Sequence, residues 1–307
     1  MTKDFLAVSD LSVYEFHRVL DLALEVKAKP RRFRRALEGK VLSMIFEKPS
    51  LRTRMTFEVG MLQLGGEAVY LSPSDIQMGK RETPADIAHN LERWTDGIMI
   101  RTFAHSIAVD LAAAARIPVI NALTDMLHPC QAMADFLTLK EKKGGLSALK
   151  LAYVGDGNNV CHSLINAAAR AGTRMAVAAP KGYEPADEIV ERAREEGRET
   201  GFVLDVVRNP VEAVSGADAV YTDVWASMGQ ESEKKKRARL FARYRVTPGL
   251  MAKAKPGAVF MHCLPAHRGE EVSAEVLDSP ASVVFDQAEN RLHVQKAIML
   301  LLMGKAK

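Results

Sequence analysis

Along the chain, short apolar and β-branched runs alternate with longer stretches in which apolar positions recur every three or four residues. The short runs are VLSMIF (41–46), AVYL (68–71), GIMI (97–100) and PVINAL (118–123) in the first half. LAYVG (151–155), MAVAA (175–179), FVLDVV (202–207), AVYTDV (219–224), AVFMHC (258–263) and SVVF (282–285) follow in the second. Strand, helix, strand in repetition predicts an α/β fold with two doubly wound parallel-sheet domains. The stretch Lys140-Glu-Lys-Lys-Gly-Gly145 reads as a charged helix end closed by glycines, which places a boundary between 142 and 143. The expected domains are therefore 1–142 and 143–290. From Gln287 to Met303 the pattern is one amphipathic helix, and 291–307 is expected to pack back on the first domain.

Composition narrows the function only a little. The chain has 307 residues, 48% hydrophobic and 26% charged, which excludes disordered, collagen-like and low-complexity classes. Its 42 Lys and Arg against 38 Asp and Glu leave a formal charge of +4, too slight to predict nucleic acid or membrane as a partner and compatible with a small anion. Three cysteines, Cys130, Cys161 and Cys263, are too few for a disulfide framework and suit a reducing compartment. No apolar run reaches the ~18 residues of a membrane span, and the opening MTKDFLAVSDLS lacks a secretory pattern, so a cytoplasmic location is expected.

Candidate chemistry gathers where strands end. Phe46-Glu-Lys-Pro-Ser-Leu-Arg-Thr-Arg54 links a buried strand to a helix, so that free backbone N–H groups and the positive end of the helix dipole favour an anion. Ser50 and Thr53 add hydroxyls, Arg52 offers a bidentate fork, and Arg54 either does the same or pairs with a carboxylate. Arg101 follows GIMI directly, and His128-Pro-Cys-Gln131 opens the helix after PVINAL. His128 and Gln131, one turn apart, could donate hydrogen bonds to a carbonyl oxygen that gains charge.

In the second half, Gly155-Asp-Gly-Asn-Asn-Val160 resembles the start of a dinucleotide fingerprint, but Val160 holds the third glycine position and MAVAAPK ends without an acidic residue. Asn158 and Asn159 are read instead as amides for a small polar ligand. Asp223, at the end of AVYTDV, suits an amino substrate, and Trp225-Ala-Ser-Met-Gly229 follows it. His262-Cys263 suggests a thiol nucleophile, yet neighbours on a strand face opposite ways, so His262 is poorly placed as its base. No His/Cys spacing matches a metal knuckle, so no metal is expected, and Cys130 and Cys161 read as small hydrophobes. The charged block Glu231–Arg239 reads as a solvated helix face.

Taken in order, S-x-R-T-R, the strand-end arginine, H-P-x-Q, G-D-G-N-N, D-x-W-x-S-M-G and H-C-L-P-A resemble the ornithine carbamoyltransferases, from about Phe46 onward. The resemblance implies transfer of a carbamoyl group from carbamoyl phosphate to L-ornithine without cofactor or metal, in a cleft between the two domains. It implies that Ser50, Leu51, Arg52 and Thr53 hold the phosphate, that Arg101 bridges phosphate and carbonyl, and that His128 and Gln131 fix the carbamoyl group. Cys263 and Leu264 would line the reacting end, and Arg291 would add a carbamoyl phosphate contact. Asn159, Asp223, Ser227 and Met228 would hold ornithine, with Arg101, His128 and Cys263 as catalytic groups. Gln77 would reach a neighbouring subunit, which implies a homotrimer or an assembly of trimers. Rival expectations are a carbamoyltransferase for N-acetylornithine, putrescine or aspartate, a non-catalytic anion-binding subunit on the same fold, and a nucleotide-dependent dehydrogenase.

Overall fold

The computed structural model describes residues 3–79, 81–226 and 233–304. They belong to two compact units, Met1–Leu137 with Glu289–Lys307, and Thr138–Ala288.

The first unit contains four parallel strands, β1 (Val41–Phe46), β2 (Glu67–Leu71), β3 (Gly97–Arg101) and β4 (Val119–Leu123), in the order β2-β1-β3-β4. VLSMIF and GIMIR are almost wholly buried, as expected of parallel strands covered on both faces. The strand order reverses between β1 and β3, and such a switch point opens a crevice at the carboxyl ends of the two strands. Register puts Phe46 beside Arg101 there, and the Glu47 N–H donates to the Arg101 carbonyl at 2.8 Å. Behind the sheet, the helix Leu51–Gln63 is approached by the helix Val284–Met303 at Gly60, where a Cβ would lie 2.9 Å from the Met299 methyl.

The second unit holds β5 (Lys150–Val154), β6 (Arg174–Ala178), β7 (Leu204–Val207), β8 (Ala219–Tyr221) and β9 (Val259–Met261), all parallel, in the order β7-β6-β5-β8-β9. Its switch point lies between β5 and β8, where Tyr153 pairs with Tyr221 and their rings stack 5.9 Å apart. Gly157 in the loop after β5 is fixed by packing, because a Cβ there would lie 2.2 Å from the Pro185 nitrogen. The glycine thus serves a close backbone approach within the unit.

Two expectations about elements need correction. SVVF is not a strand: Ser282 makes a single bridge to Phe260, and a helix begins at Val284. A four-residue apolar run does not by itself distinguish strand from helix, and the helical period continuing to Met303 decides it. AVYTDV and AVFMHC stop pairing at Tyr221 and Met261, so Asp223 and Cys263 stand two residues beyond their strands, in loops. The charged helix end before Gly144 is as expected: the helix closes at Lys143, and Gly144, at φ 77°, donates its N–H to the Lys140 carbonyl.

Candidate active site

In the first unit Ser50 caps the helix Leu51–Gln63, its hydroxyl accepting from the Thr53 N–H at 3.2 Å. Leu51 is the first helical residue, with an exposed side chain and a backbone N–H at the open end of the helix. Arg52 is half-buried and Thr53 buried. Arg291 is the largest of the fully buried side chains; it donates to Gln131 Oε1 at 2.6 Å and to Thr53 Oγ1 at 3.2 Å. Gln131 in turn donates to Asp135 at 2.8 Å. Arg101 and His128 are both buried, and burial, followed by the charges of Arg291, Arg101 and Arg52, holds the His128 imidazole well below its usual pKa. His128 is therefore a neutral ring near neutral pH, able to donate one N–H without carrying charge. Ser50, Arg52, Thr53, Arg101, His128, Gln131 and Arg291 thus form one cationic cluster at the end of the first sheet. Arg54 is not part of it: it pairs with Glu58 at 3.3 Å and lies 4.1 Å over the Tyr70 ring.

Lys48 belongs with this cluster, although the sequence reading assigned it no role. It is buried, its ammonium stands 4.1 Å over the Phe103 ring, and burial and the charge of Arg101 depress its pKa. Gln77 takes a left-handed conformation, φ 47°, and is exposed. With Phe46, Glu47, Ser72 and Phe103 it lines a cavity of about 460 Å³ in the first unit.

In the second unit three loops converge. The Cys263 thiol donates to Asp223 Oδ1 at 3.0 Å, and the Asn158 amide donates to Asp223 Oδ2 at 2.8 Å. Asn158 also caps the helix Asn159–Ala171 through its amide oxygen, so the side chain is engaged within the protein at both ends of the amide. Asn159 is the first helical residue and half-buried. Leu264 adopts φ 59°; it and Gln77 are the only non-glycine residues at positive φ among those described, and such positions recur at functional sites. Both ring nitrogens of His262 are engaged by groups other than the thiol: Nε2 pairs with the buried Glu271 at 3.2 Å and Nδ1 accepts from the Leu264 N–H at 2.9 Å. Ser227 and Met228 lie outside the described residues.

Arg237 corrects the reading of its segment as a solvated face. The residue is buried; it donates to Asp156 at 2.7 Å, to the Trp225 carbonyl at 3.0 Å and to Glu233 at 3.0 Å. Its neighbours Lys234 to Lys236 are exposed, so among the described residues of the block only Arg237 is buried. Burial, only partly offset by Arg237, pushes the Asp156 carboxyl up to about 6. Cys130 and Cys161 are fully buried; burial pushes the Cys130 thiol up to about 12 and that of Cys161 well above its usual value, which makes both inert as nucleophiles. Two groups bring possible metal ligands within 4.8 Å of one another among the described residues, Asp223 with His262 and Cys263, and His267 with Glu270 and Glu271. In the first, both His262 nitrogens are engaged in hydrogen bonds, so an ion would have to displace one of them.

Residues 3–141 match the sequence profile of the aspartate/ornithine carbamoyltransferase carbamoyl-P binding domain, and residues 147–302 match that of the Asp/Orn binding domain. The chain belongs to the aspartate/ornithine carbamoyltransferase family. A protein of Symbiobacterium thermophilum named ornithine carbamoyltransferase is 55% identical over 304 residues, covering 98% of each chain. One of Pyrococcus furiosus, named as an anabolic ornithine carbamoyltransferase, is 50% identical and covers 99% of this chain and 98% of its own. Among solved structures, ornithine carbamoyltransferase from Pyrococcus furiosus superposes with a TM-score of 0.96 at 50% identity, over 99% of this chain and 98% of that one. That from Thermus thermophilus gives 0.89 at 47%, covering 99% of each.

Within this family's two-domain plan, the first cluster has the chemistry of a phosphate and oxyanion cradle: a helix N-terminus, guanidinium groups and a neutral imidazole. The second has a carboxylate, a thiol and amides, the groups that orient an amino acid. Lys48 and Arg237 were the residues that sequence reasoning passed over. Lys48 stands inside the quoted F-E-K-P-S segment and could have been found there; Arg237 carried no signal beyond its charge.

Proposed function

We propose that the protein transfers the carbamoyl group of carbamoyl phosphate to the δ-amine of L-ornithine, giving L-citrulline and phosphate. The observation that carries this reading is the neutral His128 set among Arg52, Arg101 and Arg291 beside the Ser50-capped helix. Phosphate binds at Ser50, the Leu51 N–H, Arg52 and Thr53; Arg101 spans phosphate and carbonyl oxygen; His128, Gln131 and Arg291 fix the carbamoyl group. Ornithine is held through Asn159, Asp223, Ser227 and Met228, with Cys263 and Leu264 at the reacting end.

A free alkylamine is protonated near neutral pH, its pKa being ~10, so the δ-ammonium must first release a proton to solvent before the amine can attack. Its lone pair then forms the C–N bond, and the carbonyl π electrons move onto oxygen, where Arg101 and the His128 N–H stabilise the charge. Collapse of the tetrahedral intermediate breaks the C–O bond to phosphate, which leaves with the electron pair and accepts the remaining amine proton. Cys263 and Asp223 position the amine; the thiol, already donating to Asp223, is not needed as a nucleophile. Atoms balance without a cofactor or metal.

The free α-amino acid is favoured over N-acetylornithine and putrescine because Asp223 offers a carboxylate for an α-ammonium, and because the relatives described above carry ornithine in their names. The anabolic relative supports a place in arginine biosynthesis. Three copies would assemble, with Gln77 serving a neighbouring site, in the cytoplasm. No helix among the described residues is long and apolar enough to cross a membrane.

The test is citrulline formation from carbamoyl phosphate and L-ornithine, with N-acetylornithine, putrescine and L-aspartate in parallel. Strong preference for ornithine is expected. Turnover with another amine would overturn the assignments in the second unit, and no turnover with any would overturn the activity.

A further inference from the structure

We infer that Asn158 is a positioning residue that orients the Asp223 carboxylate for the amino acid substrate. The inference rests on the proposed reading of Asp223 as an ornithine group and extends it to a residue that need not touch substrate.

The amide of Asn158 has one permitted orientation. Its Oδ1 accepts from the N–H groups of Val160 at 3.0 Å and Cys161 at 3.2 Å. A flipped amide would turn an NH2 toward two N–H donors. The capping interaction therefore forces Nδ2 toward Asp223, which it meets at 2.8 Å. Asp223 is thus held at Oδ2 by Asn158, from the loop after β5, and at Oδ1 by Cys263, from the loop after β9. An ionised carboxylate has about four acceptor positions, so two such donors fix its plane and still leave lone pairs for an ammonium. The contact also crosses the β5/β8 switch point, where the strand order opens the crevice of the second sheet. The G-D-G-N-N loop is in this way tied to D-x-W through an asparagine whose backbone role, capping, dictates its side-chain role.

The two roles separate in Asn158→Asp. Aspartate caps a helix about as well as asparagine, but it sets a second carboxylate against Asp223 in place of a donor. The full-length variant should fold and bind carbamoyl phosphate with unchanged Kd, while its KM for ornithine at pH 8 rises at least tenfold. As the pH falls toward 6, a proton shared by the two carboxylates restores a donor, so the KM ratio of variant to wild type should shrink. Tyr153, Asp156, Cys161 and Cys263 are the other titratable groups facing this pair, and Arg237 the charge beyond Asp156; wild type measured alongside removes their common contribution. Should the aspartate variant fold poorly, Asn158→Ser keeps a capping oxygen, adds no charge and should give the same split.

Wild-type ornithine KM in these variants, or an equal loss of carbamoyl phosphate binding, overturns the inference. Asp223→Asn and the wild-type substrate panel separate its failure from that of the reading beneath it. An unaffected ornithine KM in Asp223→Asn, or no wild-type turnover of ornithine, overturns that reading and this inference with it. Effects in Asp223→Asn with none at Asn158 overturn the inference alone.

Discussion

Arg291 donates from Nη1 to Oε1 of Gln131 at 2.6 Å, although 160 positions separate them in the chain. A guanidinium with 2% of its surface exposed is held by a neutral amide and, through Nη2, by the Thr53 hydroxyl. One buried cation from the carboxyl-terminal helix thereby links the residues that open two other helices of the first unit, and its charge helps keep His128 neutral.

Arg291→Met should weaken both stability and ligand binding. Loss of the guanidinium leaves Gln131 Oε1 and Thr53 Oγ1 short of a donor, and each unsatisfied buried group costs about 1–3 kcal/mol. We expect a lower melting temperature and weaker carbamoyl phosphate binding by calorimetry. An unchanged Kd would remove Arg291 from the ligand site and leave it a structural role.

Arg52→Ala should act on binding alone, because Arg52 is only half-buried. A lost charge-assisted hydrogen bond to phosphate is worth about 1.5–3 kcal/mol, which is roughly a ten- to hundredfold rise in Kd. Calorimetry with carbamoyl phosphate checks it, and unaltered affinity would refute the phosphate assignment.

Cys263→Ser should raise the ornithine KM and lower kcat while sparing carbamoyl phosphate affinity. The shorter hydroxyl alters the 3.0 Å contact that holds Asp223 Oδ1. Normal turnover at low and at saturating ornithine would make Cys263 a bystander.

Asp156 should impose an acid limb near pH 6. Its folded pKa, about 6, lies above the ordinary carboxylate value of 3.8, so its ionisation opposes folding: the associated stability is present below pH 3.8 and is lost as pH rises through 6. The ionised form is nevertheless the one that pairs with Arg237 and, through it, the Trp225 carbonyl. Wild-type KM for ornithine should therefore rise as the pH is lowered through 6. Asp156→Asn, neutral throughout, should start high and lack the extra rise near pH 6 that adds to the substrate's own amine ionisation in the wild type; steady-state kinetics from pH 5 to 8 would tell, and parallel profiles would exclude Asp156 as the titrating group.

Gln77 is exposed, as a residue serving a neighbouring subunit must be. If three copies assemble as proposed, mixtures of Gln77→Ala and Arg52→Ala chains, assayed at a carbamoyl phosphate concentration too low for either variant alone to turn over well, should regain part of the activity, because some sites then receive both intact residues. Absence of recovery after subunit exchange is verified by mass spectrometry would place Gln77 in the site of its own chain.

Period and punctuation made most of the fold legible. Nine of the ten apolar runs contain a strand, because the inner strands, buried on both faces, must be short apolar runs and the edge strands β2 and β7 keep the same brief β-forming pattern; the Gly144 helix stop is local backbone chemistry. SVVF misled because four apolar residues satisfy either a strand or the first turn of a helix, and the longer periodic segment behind them prevailed. The candidate residues beside strand ends were likewise readable, since parallel sheets present their switch-point loops there.

Sequence by itself determined which residue types stand at each strand end and in what order, because local pattern sets the elements and the elements set the loops. Tertiary structure alone decided which of those side chains meet. That Arg291 closes on Gln131, that Arg237 turns inward to Asp156, and that Asn158 spends its amide on Asp223 depend on pairings between segments far apart in the chain. Burial then set the protonation: the same imidazole or carboxyl would titrate ordinarily in an exposed loop, and only the packed surroundings shift His128 down and Asp156 up.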